Sequence, residues 1–395
     1  ETIIIYNGIK KISLNLKKKK LNSRYPNLNL NLLVSKRKKN ISYARNKGIK
    51  KSKGNYIIFL DSDDEFVSNS LLEIYNELKK KEPEISIYNY LSKKKNKITK
   101  DLTKLDKNNL FKNISDIDSI SLTCWRFIVK KKFLTKNKIY FHTKLLINED
   151  NLFSSRLIYN CKNFLISKKV YYIYNHNPIG ATNLSLNLSE YRSKIIKGSI
   201  INLKEILKLS AKIKKKDQLK LKFFLYRIKD IFLKNFIFSN LEKFQNKNKL
   251  EKFLNKKEIV QLDEIIFKYF KLSSVSKINK VFFNNIDEIS KNQNILVLFS
   301  YTHISSLISK YLREKNIDYE IIDNSKILKG KKLNKKKINS FNYLSKTKFQ
   351  RNNLIICHTS NKINREIKTQ ISKKFRKRFL LYEFEGLLKN NDKNI

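Results

Sequence analysis

Three carboxylates stand at the end of an apolar run in the first quarter of the chain. Residues 56–60 (YIIFL) precede Asp61, Asp63 and Asp64, with Ser62 between the first two acids. Five apolar residues in a row predict a strand buried on both faces, as at the centre of a parallel α/β sheet. Ligands bind at the carboxyl edge of such sheets. Clustered acids repel one another unless a cation lies between them. Mn²⁺ or Mg²⁺ would suit their oxygen atoms and would also hold a substrate diphosphate. The alternative is a solvated acidic turn, followed by a helix with Ser68 as its N-cap.

The elements around this turn are predicted from periodicity. Residues 1–6 and 28–34 are expected to be strands, and residues 40–51 a helix whose first turn holds Arg45. Arg45 could pair with a phosphate, or it could be an ordinary solvated charge on a lysine-rich surface. After the acids, one helical stripe is expected to lie in the core: Leu71, Tyr75 and Leu78.

Three segments at this spacing resemble the nucleotide-sugar half of the family 2 glycosyltransferases, which have the GT-A fold. They are residues 44–48 (ARNKG), 53–54 (KG) and 61–64 (DSDD). The resemblance implies that Asp61 and Asp63 bind the cation, and that Arg45 and Asp61 contact the donor. In this family the strand at residues 1–6 leads into an acidic turn that contacts the nucleoside. Here Asn7 takes that place, and its amide could hydrogen-bond a base.

Residues 123–153 resemble the acceptor half of the same family, with a tryptophan, a basic helix, an aromatic strand and an E-D pair. The resemblance implies that Asp150 is the general base, which must lie within hydrogen-bond reach of the acceptor hydroxyl. It implies that Glu149 contacts the acceptor. The alternative for both acids is stabilisation of a helix N-terminus by negative charge. Trp125 is either a sugar-stacking platform or a core residue.

Two histidines, His142 and His176, are further candidates for a third metal ligand, although a lone histidine is more often structural. The segment at residues 171–183 resembles the closing part of the family's domain. The resemblance therefore covers about residues 1–188, roughly half of the chain.

The pattern of the remaining chain predicts a helical region at residues 191–285 and a small Rossmann-like α/β domain at residues 286–395, which includes a helix from about His303 to Lys315. We therefore expect three parts, with the GT-A domain at residues 1–190. The loop at residues 300–303 (SYTH) contains no glycine, which disfavours binding of a dinucleotide pyrophosphate. An interaction or scaffold role is the safer expectation for this domain.

The composition restricts partners and compartment. Among 395 residues, 86 Lys and Arg face 34 Asp and Glu, which gives a net charge of +52. The lysines are spread along the whole chain without a stacking motif, so we expect no specific nucleic acid partner. A basic surface favours diphosphate substrates and a peripheral contact with acidic lipids of the inner membrane face.

Three separated cysteines indicate free thiols in a reducing compartment. No apolar run approaches the ~18 residues of a membrane span. We expect a cytoplasmic protein whose N-terminal part, including the first strand of the family, is missing.

The resemblance to the family 2 glycosyltransferases implies an inverting glycosyltransferase of bacterial cell-envelope polysaccharide synthesis. The donor would be a nucleotide-diphosphate sugar, and the acceptor a surface glycan such as capsule or lipopolysaccharide, free or linked to a lipid. The alternative is a non-catalytic binding or scaffold protein on a degenerate fold of this family. The asparagine at position 7 and the glycine-free loop favour that alternative.

Overall fold

The structure is a computed structural model of the whole chain. It describes residues 1–7, 20–21, 23–35, 40–94, 97–101, 122–175, 189–242, 253–291, 296–300, 302–325, 328–345, 353–359, 361–375 and 379–389. The chain forms two compact units, Glu1–Phe224 and Leu225–Ile395. The three-part division expected from the sequence stays a prediction.

The first unit begins with a parallel pair of strands, β1 (Thr2–Asn7) and β2 (Leu30–Ser35). Helix α1 (Ile41–Lys51) follows and packs on β1. A Cβ atom at Gly48 would lie 3.4 Å from the Cδ1 atom of Ile5, so the helix and the strand approach closely at this position.

A second sheet carries the rest of the unit. Its strands, in spatial order, are β3 (Tyr56–Ile57), β7 (Phe127–Lys130), β5 (Ile85–Lys94), β8 (Phe164–Asn175) and β4 (Glu65–Phe66), and β6 (Lys97–Asp101) pairs with β5. Strands β5 and β8 run parallel, and the other pairs are antiparallel. Its helices are α2 (Ser70–Lys81), α3 (Lys131–Lys136), α4 (Glu149–Asn160), α5 (Ser189–Ala211) and the start of α6 (Gln218–Glu242).

The apolar runs of β5 and β7 explain why these strands are central. Ile85, Phe127, Ile128 and Val129 are at most 1% exposed. Consecutive buried residues require protein on both faces of the sheet. Strand β3, which leads to the acidic turn, pairs with β7 and is therefore supported by this core.

The prediction for residues 56–60 is wrong in part. The strand comprises only Tyr56 and Ile57, and it pairs antiparallel with β7 at the end of the described sheet. Burial alternates along the segment, and Leu60 is 47% exposed. The alternation places Ile57 and Phe59 in the core, while the residues that alternate with them face outward, so the run is buried on one face only.

The predicted start and inner face of α2 are also wrong. The N-cap is Asn69 in the left-handed region, with φ of 60°, and not Ser68. Leu71 and Tyr75 are exposed, whereas Leu78 is buried as predicted. The residues that face inward are Ser70, Ile74 and Leu78, so in the first two turns the buried face lies one residue before the predicted one.

The second unit contains α7 (Lys256–Phe270) and α8 (Ile278–Ser290), followed by an α/β part with α9 (His303–Glu314) and α10 (Asn361–Phe375). Its strands, in spatial order, are β11 (Lys332–Leu333), β12 (Lys336–Ser340), β10 (Tyr319–Asp323), β9 (Leu296–Phe299), β13 (Asn353–Ile356) and β14 (Leu380–Glu383). All pairs are parallel except β11 with β12. The predicted α/β architecture of this part is confirmed, and its bounds as a separate domain stay a prediction.

Two observations concern the whole described chain. None of its described helices is long and apolar enough to cross a membrane. Cys124, Cys161 and Cys357 are all free thiols.

Candidate active site

The acidic turn follows β3 and is closed by its own backbone, with the Asp64 amide donating to the Asp61 carbonyl at 3.1 Å. The side chain of Asp61 is 31% exposed, and Ser62 and Asp63 are exposed. The turn therefore presents two carboxylates outward, from Asp61 and Asp63.

The third acid of the turn, Asp64, faces the sheet. Both of its carboxylate oxygens accept hydrogen bonds from β8. The Tyr172 hydroxyl donates to Oδ2 at 2.6 Å, and the Asn175 amide donates to Oδ1 at 2.7 Å. Burial raises the pKa of the Asp64 carboxyl. The Asn175 side chain also donates to the Asp63 carbonyl at 2.8 Å. Asp64 thus fixes the turn against β8.

Helix α1 is joined to the loop before α4 by two asparagines. The N-cap residue Asn40 accepts the Tyr43 amide at 3.0 Å and donates to the carbonyls of Thr143 and Leu145. Asn46 donates to the Phe141 carbonyl and accepts the Phe141 amide, each at 2.8 Å. These bonds hold two segments together that lie about a hundred residues apart in sequence.

Arg45, between these asparagines, bridges two carboxylates. Its Nη2 atom lies 2.8 Å from Asp61 Oδ1, and its Nη1 atom lies 2.7 Å from Glu149 Oε1. The guanidinium carbon lies 5.3 Å from the centre of the Phe141 ring. That ring stacks on Phe153 at 4.0 Å. The guanidinium is therefore held at two edges and over an aromatic cluster.

Helix α4 begins with Glu149 and Asp150, directly after Asn148 in the left-handed region. Glu149 is 8% exposed, and burial raises its pKa. Burial together with the neighbouring charge of Glu149 raises the pKa of Asp150 to about 7. The Asn151 amide donates to Asp150 Oδ1 at 2.8 Å. A carboxylate with this pKa can accept a proton near neutral pH far better than an ordinary aspartate.

The other predicted site residues lie in varied surroundings. Trp125 is 5% exposed, and its ring stacks on Tyr172 at 4.4 Å with an angle of 8° between the planes. Asn7 is the last residue of β1 and pairs in register with Ser35. His142 lies in the loop before α4 and is partly buried. His176 lies outside the described residues. The predicted roles of these residues stay predictions.

A cavity of about 350 Å³ adjoins the site. Ile3 and Ile5 of β1 line it, as do Ile57 and Phe59, and its lining includes Arg45 and Asp61. Glu1 is a third charged residue in the lining, so the cavity wall combines apolar side chains with charged groups.

The acids of the turn offer a cation a small set of carboxylate oxygens. Among the described residues, no group of three or more His, Cys, Asp or Glu side chains could hold a metal ion. Arg45 occupies Asp61 Oδ1, and Asp64 is engaged by β8. The outward-facing set is thus Asp63 and the second oxygen of Asp61. Because Mg²⁺ and similar ions are often bound by one or two carboxylates plus substrate phosphates, this set fits a cation that binds with a diphosphate.

Sequence reasoning missed three residues that build the site, namely Asn46, Tyr172 and Asn175. Asn46 was identifiable only as the neighbour of Arg45 in the ARNKG segment. Tyr172 and Asn175 carried no signal beyond their place in an aromatic segment, because their partner Asp64 is more than a hundred residues away. The sequence also gave no indication that Arg45 contacts Glu149.

Comparison with known proteins places a family on part of this chain. Residues 15–152 match the family described as Glycosyl transferase family 2. This range contains the acidic turn, α1 and the first turn of α4.

Two related proteins are informative. Over 159 residues the chain is 33% identical to the poly(ribitol-phosphate) beta-N-acetylglucosaminyltransferase TarP of Staphylococcus aureus strain N315. The match covers 40% of this chain and 48% of TarP, so the chain spans about half the length of this curated relative. The crystal structure of S. aureus TarS has a TM-score of 0.50 and 16% identity, over 74% of this chain and 50% of that chain. The predicted GT-A fold class is confirmed.

Proposed function

Residues 15–152 belong to glycosyl transferase family 2, and on that premise we propose that the chain is an inverting glycosyltransferase. It transfers a sugar from a nucleotide-diphosphate donor to a surface glycan. One observation carries this proposal: Arg45 bridges Asp61 of the acidic turn and Glu149 beside Asp150. The residues assigned to the donor and the residues assigned to the acceptor thus meet at one place.

Asp150 is the general base in this proposal. It removes the proton of an acceptor hydroxyl while that oxygen attacks the anomeric carbon. The bond from the anomeric carbon to the diphosphate oxygen breaks in the same step, and the nucleotide diphosphate leaves on the opposite face. A single displacement inverts the configuration. The pKa of about 7 supports this role, since a base is most effective when its pKa lies near the working pH.

The donor is held by the other half of the site. Arg45 and Asp61 contact the diphosphate and the sugar, and Asn7 contacts the nucleoside. Asp63 and the second oxygen of Asp61 would hold Mn²⁺ or Mg²⁺, whose charge would stabilise the departing diphosphate. Glu149 and Trp125 contact the acceptor. Trp125 is buried against Tyr172, so its contact requires the acceptor to reach the rim of the aromatic stack.

The acceptor class follows from the charge of the chain and from TarP. The name of TarP gives poly(ribitol-phosphate) as its acceptor. A net charge of +52 favours a polyanionic acceptor of this kind over a neutral glycan. We therefore place a polyol-phosphate polymer first among the surface glycans. The same charge supports a peripheral contact with acidic lipids, and the three free thiols support a reducing, cytoplasmic compartment.

The test is a donor and acceptor panel. The chain is incubated with UDP-GlcNAc, UDP-glucose or UDP-galactose, with Mn²⁺ or EDTA, and with poly(ribitol phosphate) or buffer. We expect Mn²⁺-dependent UDP release that rises with the polymer, and a product whose anomeric configuration, read by NMR, is opposite to that of the donor. Asp150→Asn is the matched inactive control.

A chain that binds UDP but releases none from any donor would favour the non-catalytic alternative. Asn7 in place of an acid is the observation that supports that alternative. Retention of configuration would contradict the single displacement.

A further inference from the structure

The bridging position of Arg45 has a consequence for how the site fills. One guanidinium serves two carboxylates from different elements, Asp61 after β3 and Glu149 at the start of α4. The side chain of Arg45 is 11% exposed and that of Glu149 is 10% exposed, whereas that of Asp61 is 31% exposed. The Asp61 end of the bridge is thus the end that a ligand from solvent can reach.

Competition at Asp61 follows from the charges. Arg45 lies on Oδ1 of Asp61, and a divalent cation on the second oxygen of the same carboxylate would repel it, because both are positive. Glu149 gives the guanidinium a second anionic partner at 2.7 Å, and the Phe141 ring packs against it. Arg45 can therefore give up Asp61 without losing every partner, because the bond to Glu149 is retained.

We propose that Arg45 is a positioning residue that occupies Asp61 as an internal counter-ion in the donor-free chain and that, when the cation binds, it keeps Glu149 and exchanges Asp61 for the donor diphosphate. This inference rests on the proposed function. It goes beyond that function by making the acceptor-side carboxylate a determinant of binding at the donor side. Filling of the donor half thereby changes the environment of Glu149, beside the base.

The alternative is a static tie between α1, the acidic turn and α4. The two cases differ in sign. If Arg45 only supports the fold, its loss weakens binding of every ligand at Asp61. If Arg45 competes, its loss strengthens binding of the cation alone and weakens binding of the diphosphate.

The experiment measures Mn²⁺ binding to the full chain without nucleotide, by electron paramagnetic resonance of free Mn²⁺. The same preparations are then titrated with UDP and Mn²⁺ by calorimetry. The variants are Arg45→Gln, Arg45→Lys, Glu149→Gln and the double variant Arg45→Gln with Glu149→Gln. Lys50→Gln is the matched control, because it removes one positive charge from the same helix but at an exposed position over the Tyr140 ring.

We expect Arg45→Gln to lower the dissociation constant for Mn²⁺ at least about fivefold, the lower end of typical coupling between sites. It should raise the dissociation constant for UDP with Mn²⁺. Arg45→Lys keeps the charge but cannot bridge both carboxylates, so its Mn²⁺ affinity should lie between those of the wild type and Arg45→Gln. Lys50→Gln should change Mn²⁺ affinity less than about twofold, as expected for a screened surface charge.

Glu149→Gln supplies the second arm. With Arg45 present it should weaken Mn²⁺ binding, because Asp61 becomes the stronger anionic partner of the guanidinium. Without Arg45 this effect should shrink at least about fivefold in the double-mutant cycle.

Weaker or unchanged Mn²⁺ binding in Arg45→Gln, additive effects in the cycle, or an equal response to Lys50→Gln would each overturn the inference. If Arg45→Gln does not fold, Arg45→Lys and Glu149→Gln carry the same comparison. A wild-type chain that transfers sugar while Arg45→Gln fails to strengthen Mn²⁺ binding refutes only the inference. A wild-type chain that binds neither Mn²⁺ nor UDP refutes the proposed function as well.

Discussion

Replacing Asp150 by Asn should lower turnover and raise stability at the same time. The pKa of Asp150 is raised from its ordinary value of 3.8 to about 7, mainly by burial and then by the charge of Glu149. One pKa unit corresponds to about 1.36 kcal/mol, so ionised Asp150 destabilises the fold by up to about 4 kcal/mol. An amide of the same shape removes that penalty.

The sign of the effect depends on pH. Below pH 3.8 the carboxyl is protonated in both folded and unfolded chains, and it contributes no penalty. Between pH 3.8 and about 7 the unfolded chain ionises first, so the stability of the wild type falls relative to Asp150→Asn. Above about pH 7 the difference is fully developed. Thermal or urea unfolding should therefore show a stabilised variant at pH 8 and an equal pair below pH 4.

Turnover should change in the opposite direction. Asn cannot accept a proton, and general-base catalysis contributes about 10²–10⁴-fold. UDP release with poly(ribitol phosphate) should fall by that factor, while the dissociation constant of the donor stays near the wild-type value. In the wild type, kcat/KM should rise through a pKa near 7, and the variant should lack that limb.

Asp217→Asn is the control, because Asp217 is an exposed acid in the short link between α5 and α6. It should change neither turnover nor the pH dependence of stability. Near-normal turnover of Asp150→Asn would refute the base assignment, and Glu149 would become the next candidate. Equal losses of turnover and donor affinity would show that Asp150 supports the fold or the cation site.

Three further substitutions test the neighbourhood. Asp63→Ala should abolish Mn²⁺-dependent donor binding in calorimetry, and donor binding with unchanged metal dependence would contradict the cation assignment. Tyr172→Phe removes the hydroxyl that donates to Asp64 at 2.6 Å; it should destabilise the fold by about 1–3 kcal/mol in urea unfolding, and a neutral result would show that the turn does not need this bond. Asn46→Ala removes both bonds to the Phe141 backbone. It should reduce stability by a similar amount and should also lower turnover, because α1 would no longer be held to the loop before α4. An unchanged kcat would show that α1 does not position the base.

The second unit shows what periodicity can predict. The sequence predicts a helix from His303 to about Lys315, and the helix is His303–Glu314. Its start carries a local signal, the capping box. The Thr302 side chain accepts the Ser305 amide, and the Ser305 hydroxyl oxygen accepts the Thr302 amide. Local chemistry of this kind can be read without knowledge of the rest of the fold.

Residues 56–60 and α2 show why other predictions were wrong. An apolar run indicates that a segment is buried but not how many strands flank it, and among the described strands only β7 pairs with β3. In α2 the apolar residues surround much of the helix, so the periodicity does not decide which face turns inward. Leu72 is 66% exposed although it is as apolar as the buried Ile74.

The site was predictable as separate residues and not as an arrangement. Arg45, Asp61, Glu149 and Asp150 each belong to a recognisable motif. Their contacts join segments about a hundred residues apart, and side-chain pairing over that distance leaves no periodic trace in one sequence. Whether each residue has the role assigned to it stays a prediction.

Trp125 gives this chain a built-in optical reporter. It is the sole tryptophan among the 395 residues. Its indole stacks on the ring of Tyr172, whose hydroxyl contacts both the Asp61 amide and the Asp64 carboxylate. Tryptophan fluorescence, when excited selectively, therefore comes from Trp125 beside the acidic turn alone, and the second unit contributes no indole signal. A shift in wavelength or quenching on titration would report events at the turn without any attached dye.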